Sequence, residues 1–223
     1  MTIVTFLALG VSSALAATHV IYFGGYASTP AQMQCWQQGA EAQANPAQYT
    51  FQSHSYPVGA GADASSAVQK GAKTIAAVVA EIDANPSVHF VVAGHSSGAA
   101  LSNQVAKLVH NPAQIELVAL DGFAPSAALQ RRVNSRCIYA ISTTVRGLTS
   151  MNAASMQSNC AVSHAYADAH CKSSWCMHFS LVNKVAPPNL SSSTFKAHGY
   201  DGCATNLTWL NPSPFTILSD DET

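Results

Sequence analysis

The sequence has 223 residues, a length that suits one domain better than two. Hydrophobic residues make up 48% and charged residues only 9%, with a net charge of −1. That supplies a sizeable core and excludes the basic footprint of a nucleic-acid-binding protein. Asp220, Asp221 and Glu222 are too few to make an acidic tail for a polycationic partner.

The first element is a processing signal. Ile3 to Ala16 is an apolar run closed by Ala14-Leu15-Ala16-Ala17, the small-residue pattern a signal peptidase accepts. No Lys or Arg precedes it, so only the α-amine supplies positive charge. The run is short for a bilayer span, and no later stretch reaches that length. The expectation is a signal peptide over residues 1–17 and a single secreted domain over 18–223, extracellular or periplasmic. Cysteine usage agrees. All six cysteines (35, 137, 160, 171, 176 and 203) follow the cleavage point, which in an oxidising compartment predicts up to three disulfides of undetermined pairing. Cys176 is expected to be bonded, holding the segment two residues before His178. Asn189-Leu-Ser191 and Asn206-Leu-Thr208 are glycosylation sequons, relevant only in a eukaryotic host.

Strands and helices then alternate. His19 to Phe23 is a β-rich run stopped by Gly24-Gly25, and Thr29-Pro30 opens a helix, with Thr as cap and Pro in the first turn. Tyr49 to Tyr56 reads as a strand ended by Pro57 and Gly59. From Asp63 to Asp83, Val68, Ala72, Ile75, Val79 and Ile82 recur at helical spacing, and Asn85-Pro86 breaks that helix. Val88 to Ala93 is a β-branched run of the kind buried on both faces. Leu101, Val105, Leu108 and Val109 stripe the next helix, and Asn111-Pro112 ends it. Ile115 to Leu120 and Cys137 to Ile141 are two further strands. This alternation predicts an α/β fold with a mostly parallel sheet flanked by helices on both faces.

The chemistry centres on Gly94-His95-Ser96-Ser97-Gly98. A G-x-S-x-G between a buried strand and an amphipathic helix puts the serine on a tight, strained turn. Its hydroxyl is lifted clear of the sheet at a helix N-terminus, where developing negative charge is favoured. Glycines flank it because a Cβ at either position would collide with neighbouring backbone.

The stretch from Val88 to Pro125 resembles the α/β-hydrolase superfamily, and within it lipases and thioesterase domains. VVAGHSSGAALSNQVAKL is similar to their nucleophile elbow and following helix. Ala119-Leu-Asp-Gly-Phe-Ala-Pro125 resembles the "LDPAGP"-like stretch of animal-type lipases and the "LDSxAP"-like stretch of thioesterases, where those families carry the triad acid. The resemblance implies a small α/β-hydrolase-like domain without a long lid, and the chain order serine, acid, histidine.

Three acids after Ser96 compete. Glu116 begins a strand and points away from its carboxyl end. Asp121 directly follows Ile115 to Leu120, at the carboxyl end where catalytic groups of open sheets gather. Asp168, in Asp168-Ala-His-Cys171, faintly resembles the acid loop of cutinases, with shorter spacing. Asp121 is preferred. Among the histidines, His110 suits a helix C-terminus. His178, in Trp175-Cys-Met-His-Phe-Ser-Leu-Val182, resembles the thioesterase "HF" step and the lipase "C-x-H", and is expected in a loop just before a helix. His198 is the alternative. The oxyanion hole is expected from the N–H groups of Ser97 and Tyr26, the latter after Phe23-Gly24-Gly25.

His164, Tyr166, Asp168 and His170 alternate with other residues as one face of a strand would, beside Cys171. The spacing matches no metal-ligand pattern, and oxidised cysteines do not ligate, so no metal and no cofactor are expected. The sequence thus predicts a secreted esterase or lipase with Ser96, Asp121 and His178 as its triad. Its substrate would be a small-molecule or lipid ester, without nucleic acid or a stable membrane span. Thioesterase or cutinase-like polyester chemistry is the alternative, and a catalytically inactive binding protein the non-enzyme one.

Overall fold

A computed structural model describes residues 17–141 and 153–210. Residues 1–16 of the expected signal segment and the acidic residues 220–222 lie outside them. Six strands form one all-parallel sheet: β1 (Thr18–Phe23), β2 (Tyr49–His54), β3 (Phe90–His95), β4 (Ile115–Leu120), β5 (Asn134–Ala140) and β6 (Val162–Tyr166). Their order is β2-β1-β3-β4-β5-β6. The chain moves to one edge after β1 and to the other side of β1 for β3. The carboxyl ends of β1 and β3 therefore flank the switch point, where an open α/β sheet offers its crevice.

Strand parity sorts the core into two layers. Val20, Tyr22, Val91, Ala93, Val118 and Leu120 face α1 (Pro30–Glu41) and the C-terminal segment. Met33, Trp36, Phe179 and Trp209 fill that layer. Ile21, Phe23, Phe90, Val92 and Leu117 face α2 (Ala64–Ala84) and α3 (Ala99–Leu108), packing on Ile75, Val78, Leu101 and Val105. In the first layer the Tyr22 and Trp36 rings stack with centroids 3.9 Å apart.

The helices start where capping chemistry dictates. Thr29 and Gln32 make a reciprocal capping box on α1 with Pro30 at its first position, and Asp63 caps α2 by accepting from the Ser66 N–H. Some boundaries differ from the expected ones. The strand expected at 88–93 runs two residues later, because the Val88 N–H closes a turn on Asn85 at 3.0 Å. The strand expected at 137–141 begins at Asn134, paired to Glu116. β2 ends at His54 because Tyr56 leaves the strand ladder to donate its N–H to the Ser28 side chain at 3.0 Å.

Three disulfides are present: Cys35–Cys203, Cys137–Cys160 and Cys171–Cys176. The first joins α1 to the C-terminal segment. Beyond α4 (Ala127–Gln130), the second joins β5 to the end of α5 (Ala153–Asn159). Of the two sequons, Asn189 is exposed. Asn206 is buried, with its amide nitrogen 2.8 Å from the Ser180 carbonyl, so it has no free nitrogen to offer a glycan. Among the described residues no helix is long and apolar enough to cross a membrane.

Candidate active site

Ser96 sits directly after β3, with φ at +54°, and opens a 3-10 turn that runs into α3. A side chain rarely holds the left-handed region without a reason. The flanking glycines supply the room. A Cβ on Gly94 would lie 2.6 Å from the Ala99 Cα, and one on Gly98 2.4 Å from the Gly24 carbonyl oxygen. Ser97 anchors the turn to the loop before α2, donating its hydroxyl to the Ala62 carbonyl at 2.7 Å.

One strand over, Asp121 occupies the equivalent position after β4, also left-handed at φ +44°. His95 and Leu120 are register partners, so the serine and the aspartate leave neighbouring strands side by side. The Asp121 N–H donates to Ile138, and its Oδ1 accepts the Ala140 N–H at 2.9 Å. With one oxygen held by backbone, the other is aimed. Oδ2 lies 2.5 Å from His178 Nδ1, and the aspartate side chain is only 6% exposed. A carboxylate accepts, so Nδ1 carries the proton and Nε2 is left as the basic nitrogen.

His178 is in the last turn of α6 (Ser174–Ser180), not in a loop before a helix as expected. The helix begins earlier because Ser173 caps it, accepting the Cys176 N–H at 3.0 Å. The His178 ring packs 4.3 Å from that of His95, the residue before Ser96, and 6.0 Å edge-on from Trp175. Cys176 is bonded to Cys171, which closes the segment entering α6.

The other candidates are spent elsewhere. Asp168 lies 2.8 Å from His170, whose pKa is raised above its ordinary value chiefly by that hydrogen bond. His198 pairs with Asp201 and His110 with Asp83, all near the surface. Glu116 pairs with Arg136 at 2.9 Å. β6 carries His164 and Tyr166 but ends before Asp168 and His170, so the expected single face breaks after two residues. Tyr166 donates its hydroxyl to the Ser180 carbonyl, and burial pushes its pKa to about 12. His170, Cys171 and Cys176 place their ligand atoms within 4.8 Å of one another, but the two sulfurs are joined as a disulfide and present no thiolate.

Tyr26 follows β1 in a partly exposed turn across the switch point from Ser96. The preceding Gly25 N–H is taken by the Tyr200 hydroxyl at 2.6 Å, so the next amide in line is that of Tyr26. Sequence reasoning overlooked Tyr200 and gave His95 no role of its own. His95 stood inside the motif, while Tyr200 lies in a short C-terminal stretch without periodicity.

Neither family models nor curated proteins match the sequence. Solved structures resemble it at low identity. An extracellular α/β-hydrolase from a Paenibacillus species is 23% identical over 49% of this chain and 42% of its own, with a TM-score of 0.33. Est1E from Butyrivibrio proteoclasticus is 8% identical, covering 71% and 80% of the two chains, with a TM-score of 0.44. Aspergillus fumigatus lipase B is 12% identical, covering 68% and 44%, with a TM-score of 0.41. The chain thus spans less than half of the Paenibacillus and Aspergillus proteins. With its parallel strand order, a serine elbow after β3 and an aspartate turn after β4, the chain has the α/β-hydrolase fold.

Proposed function

We propose that the protein is a secreted serine hydrolase of carboxylic esters, of lipase or esterase type. The observation that carries this reading is the contact of the buried Asp121 carboxylate with half-buried His178 beside the left-handed Ser96 elbow. Ser96 Oγ attacks the acyl carbon while His178 Nε2 takes its proton. Asp121 holds the imidazole in the tautomer that leaves Nε2 free and stabilises the imidazolium. The N–H groups of Tyr26 and Ser97 receive the oxyanion. His178 returns the proton to the departing alcohol, and water repeats the sequence to release the acid.

Export is part of the proposal: cleavage after residue 17 would leave 18–223 as one catalytic domain. The apolar leader and the three disulfides support it. Thioesters undergo the same chemistry, but acyl carriers are intracellular, and export favours oxygen esters. The test is turnover of short p-nitrophenyl esters. The mature protein should hydrolyse them, and Ser96→Ala should lower kcat by at least about 1,000-fold. Equal turnover in that variant refutes the assignment.

A further inference from the structure

A second buried polar chain runs behind the candidate triad. His95 is fully buried, and both of its ring nitrogens are engaged. Nε2 lies 3.0 Å from the backbone carbonyl oxygen of His178. A carbonyl only accepts, so Nε2 carries the ring proton. Burial, and then the neighbouring His178, hold the His95 pKa well below its usual value, so the ring is neutral and Nδ1 is a lone pair. The Tyr200 hydroxyl, 2.7 Å away, therefore donates to Nδ1, and the same oxygen accepts the Gly25 N–H at 2.6 Å. The direction is fixed throughout. Gly25 donates to Tyr200, Tyr200 to His95, and His95 to the His178 carbonyl.

The two ends of this relay touch the two halves of the site. Gly25 carries the turn that presents Tyr26. A Cβ on Gly25 would lie 2.9 Å from the Ser96 Cβ, 3.0 Å from the Tyr200 hydroxyl and 3.2 Å from His95 Nδ1. The turn is thus wedged between nucleophile and relay. At the far end, the relay grips the backbone of His178 itself in the final turn of α6, where helix carbonyls lack partners within the helix. Tyr200 is buried, its ring edge-on to Phe179 with centroids 5.2 Å apart. Beside the aromatic packing of Tyr26 on Phe195 and of Phe195 on Trp175 and Phe179, this hydroxyl joins the turn after β1 to α6 by hydrogen bonds through a single imidazole.

We propose that Tyr200, acting through His95, is a positioning residue. Its hydroxyl sets the distance between the turn bearing the Tyr26 amide and the backbone bearing His178, so that oxyanion donor and general base stay in register about Ser96. This rests on the esterase reading above. Displacement of a catalytic group by about 1 Å costs on the order of 100-fold in rate. Because the relay touches no substrate, its loss falls on kcat and leaves KM nearly unchanged. A network that only stabilised the fold would lower the melting temperature without changing turnover per competent site.

The experiment compares ester turnover by wild type, Tyr200→Phe and His95→Phe, each normalised to the Ser96 titrated to completion by a fluorophosphonate. Tyr200→Phe should lower kcat per titrated serine about 10–100-fold, with KM within about threefold of wild type. His95→Phe keeps a planar ring but removes both the acceptor for Tyr200 and the donor toward the His178 carbonyl. It should match Tyr200→Phe, and it carries the test where that variant does not fold. Variants that keep wild-type kcat per titrated serine overturn the relay alone, as does failure of both to fold, which would assign it to stability. A wild type that neither turns over nor titrates overturns the esterase reading, and the relay with it.

Discussion

Ser96 and Asp121 hold left-handed backbone at φ +54° and +44°, a conformation that costs a side-chain-bearing residue about 1–2 kcal/mol. Two such residues on adjacent strand ends are maintained only because the surroundings over-determine them: β3 and β4 pair up to His95 and Leu120, and the Asp121 amide is tied to Ile138. The carboxylate gains direction from the same turn. Asp121→Asn should therefore lower kcat by at least about 1,000-fold while the fold is retained, because the amide favours the wrong imidazole tautomer. Asp168→Asn should stay within about threefold, since Asp168 serves the exposed His170. Ester kinetics with circular dichroism check both, and the reverse order would move the acid to Asp168. His95 gives a second prediction, on stability. Its folded pKa is depressed, so as pH falls below about 6.5 the unfolded chain binds a proton that the folded chain refuses. Stability should then decline by up to about 1.4 kcal/mol per pH unit from this residue alone. Half-buried His54 and His164 act in the same direction, and His170, with its raised pKa, in the opposite one. In His95→Gln the acid slope between pH 6.5 and 5 should flatten by about one proton in denaturant melts; an unchanged slope would show that His95 is protonated in the folded protein.

At the scale of elements, what the sequence revealed depended on periodicity and caps. α2 was legible to within a residue because Val68, Ile75, Val79 and Ile82 keep helical spacing between an Asp63 cap and Asn85-Pro86. β4 was legible because Ile115 to Leu120 is a run buried on both sides of a parallel sheet. Beyond Asn159 the pattern fails. β6 is half-buried and carries His, Ser and Tyr, and α6 spans only seven residues, too short for a periodic signal, so His178 was read as a loop residue. That Asp121 and His178 meet could nevertheless be anticipated, because a strand end and an aromatic-flanked histidine need only short motifs. The link between Tyr200 and Gly25 spans 175 residues and leaves no local trace. Cysteine number was readable and pairing was not, since partners meet only in the fold. The pairs now separate two effects. Cys171–Cys176 closes a short loop into α6, so Cys171→Ser with Cys176→Ser should cost roughly 2 kcal/mol and lower kcat about tenfold by loosening His178. Removing Cys137–Cys160 opens a 23-residue separation on β5, beside the Ile138 that ties Asp121, but β5 stays paired to β4 and β6, so it should cost roughly 3 kcal/mol with kcat preserved. Thermal melts and kinetics on both pairs decide it; equal kcat losses would deny the short loop a positioning role.

For the whole molecule, the sheet order decides where chemistry can gather. Because β1 lies between β2 and β3, the turns after β1 and β3 face each other across the switch point, and the turn after β4 lies alongside. Helices α1, α2 and α3 fill the two faces, and the C-terminal segment completes the first layer through Trp209 and brings α6 and Tyr200 to the strand ends. Each part of the proposed reaction thus comes from a different stretch of chain, and the parallel sheet brings them to one edge. The central claim is that this convergence makes Ser96 a nucleophile far more reactive than an ordinary serine hydroxyl, which has no base beside it. The most direct measurement is peptide mass spectrometry after brief exposure of the folded protein to a fluorophosphonate. The account predicts a single phosphonylated residue, Ser96, with labelling abolished by Ser96→Ala and strongly slowed by His178→Ala. Label spread over other serines, or none on Ser96 in folded protein, would contradict it.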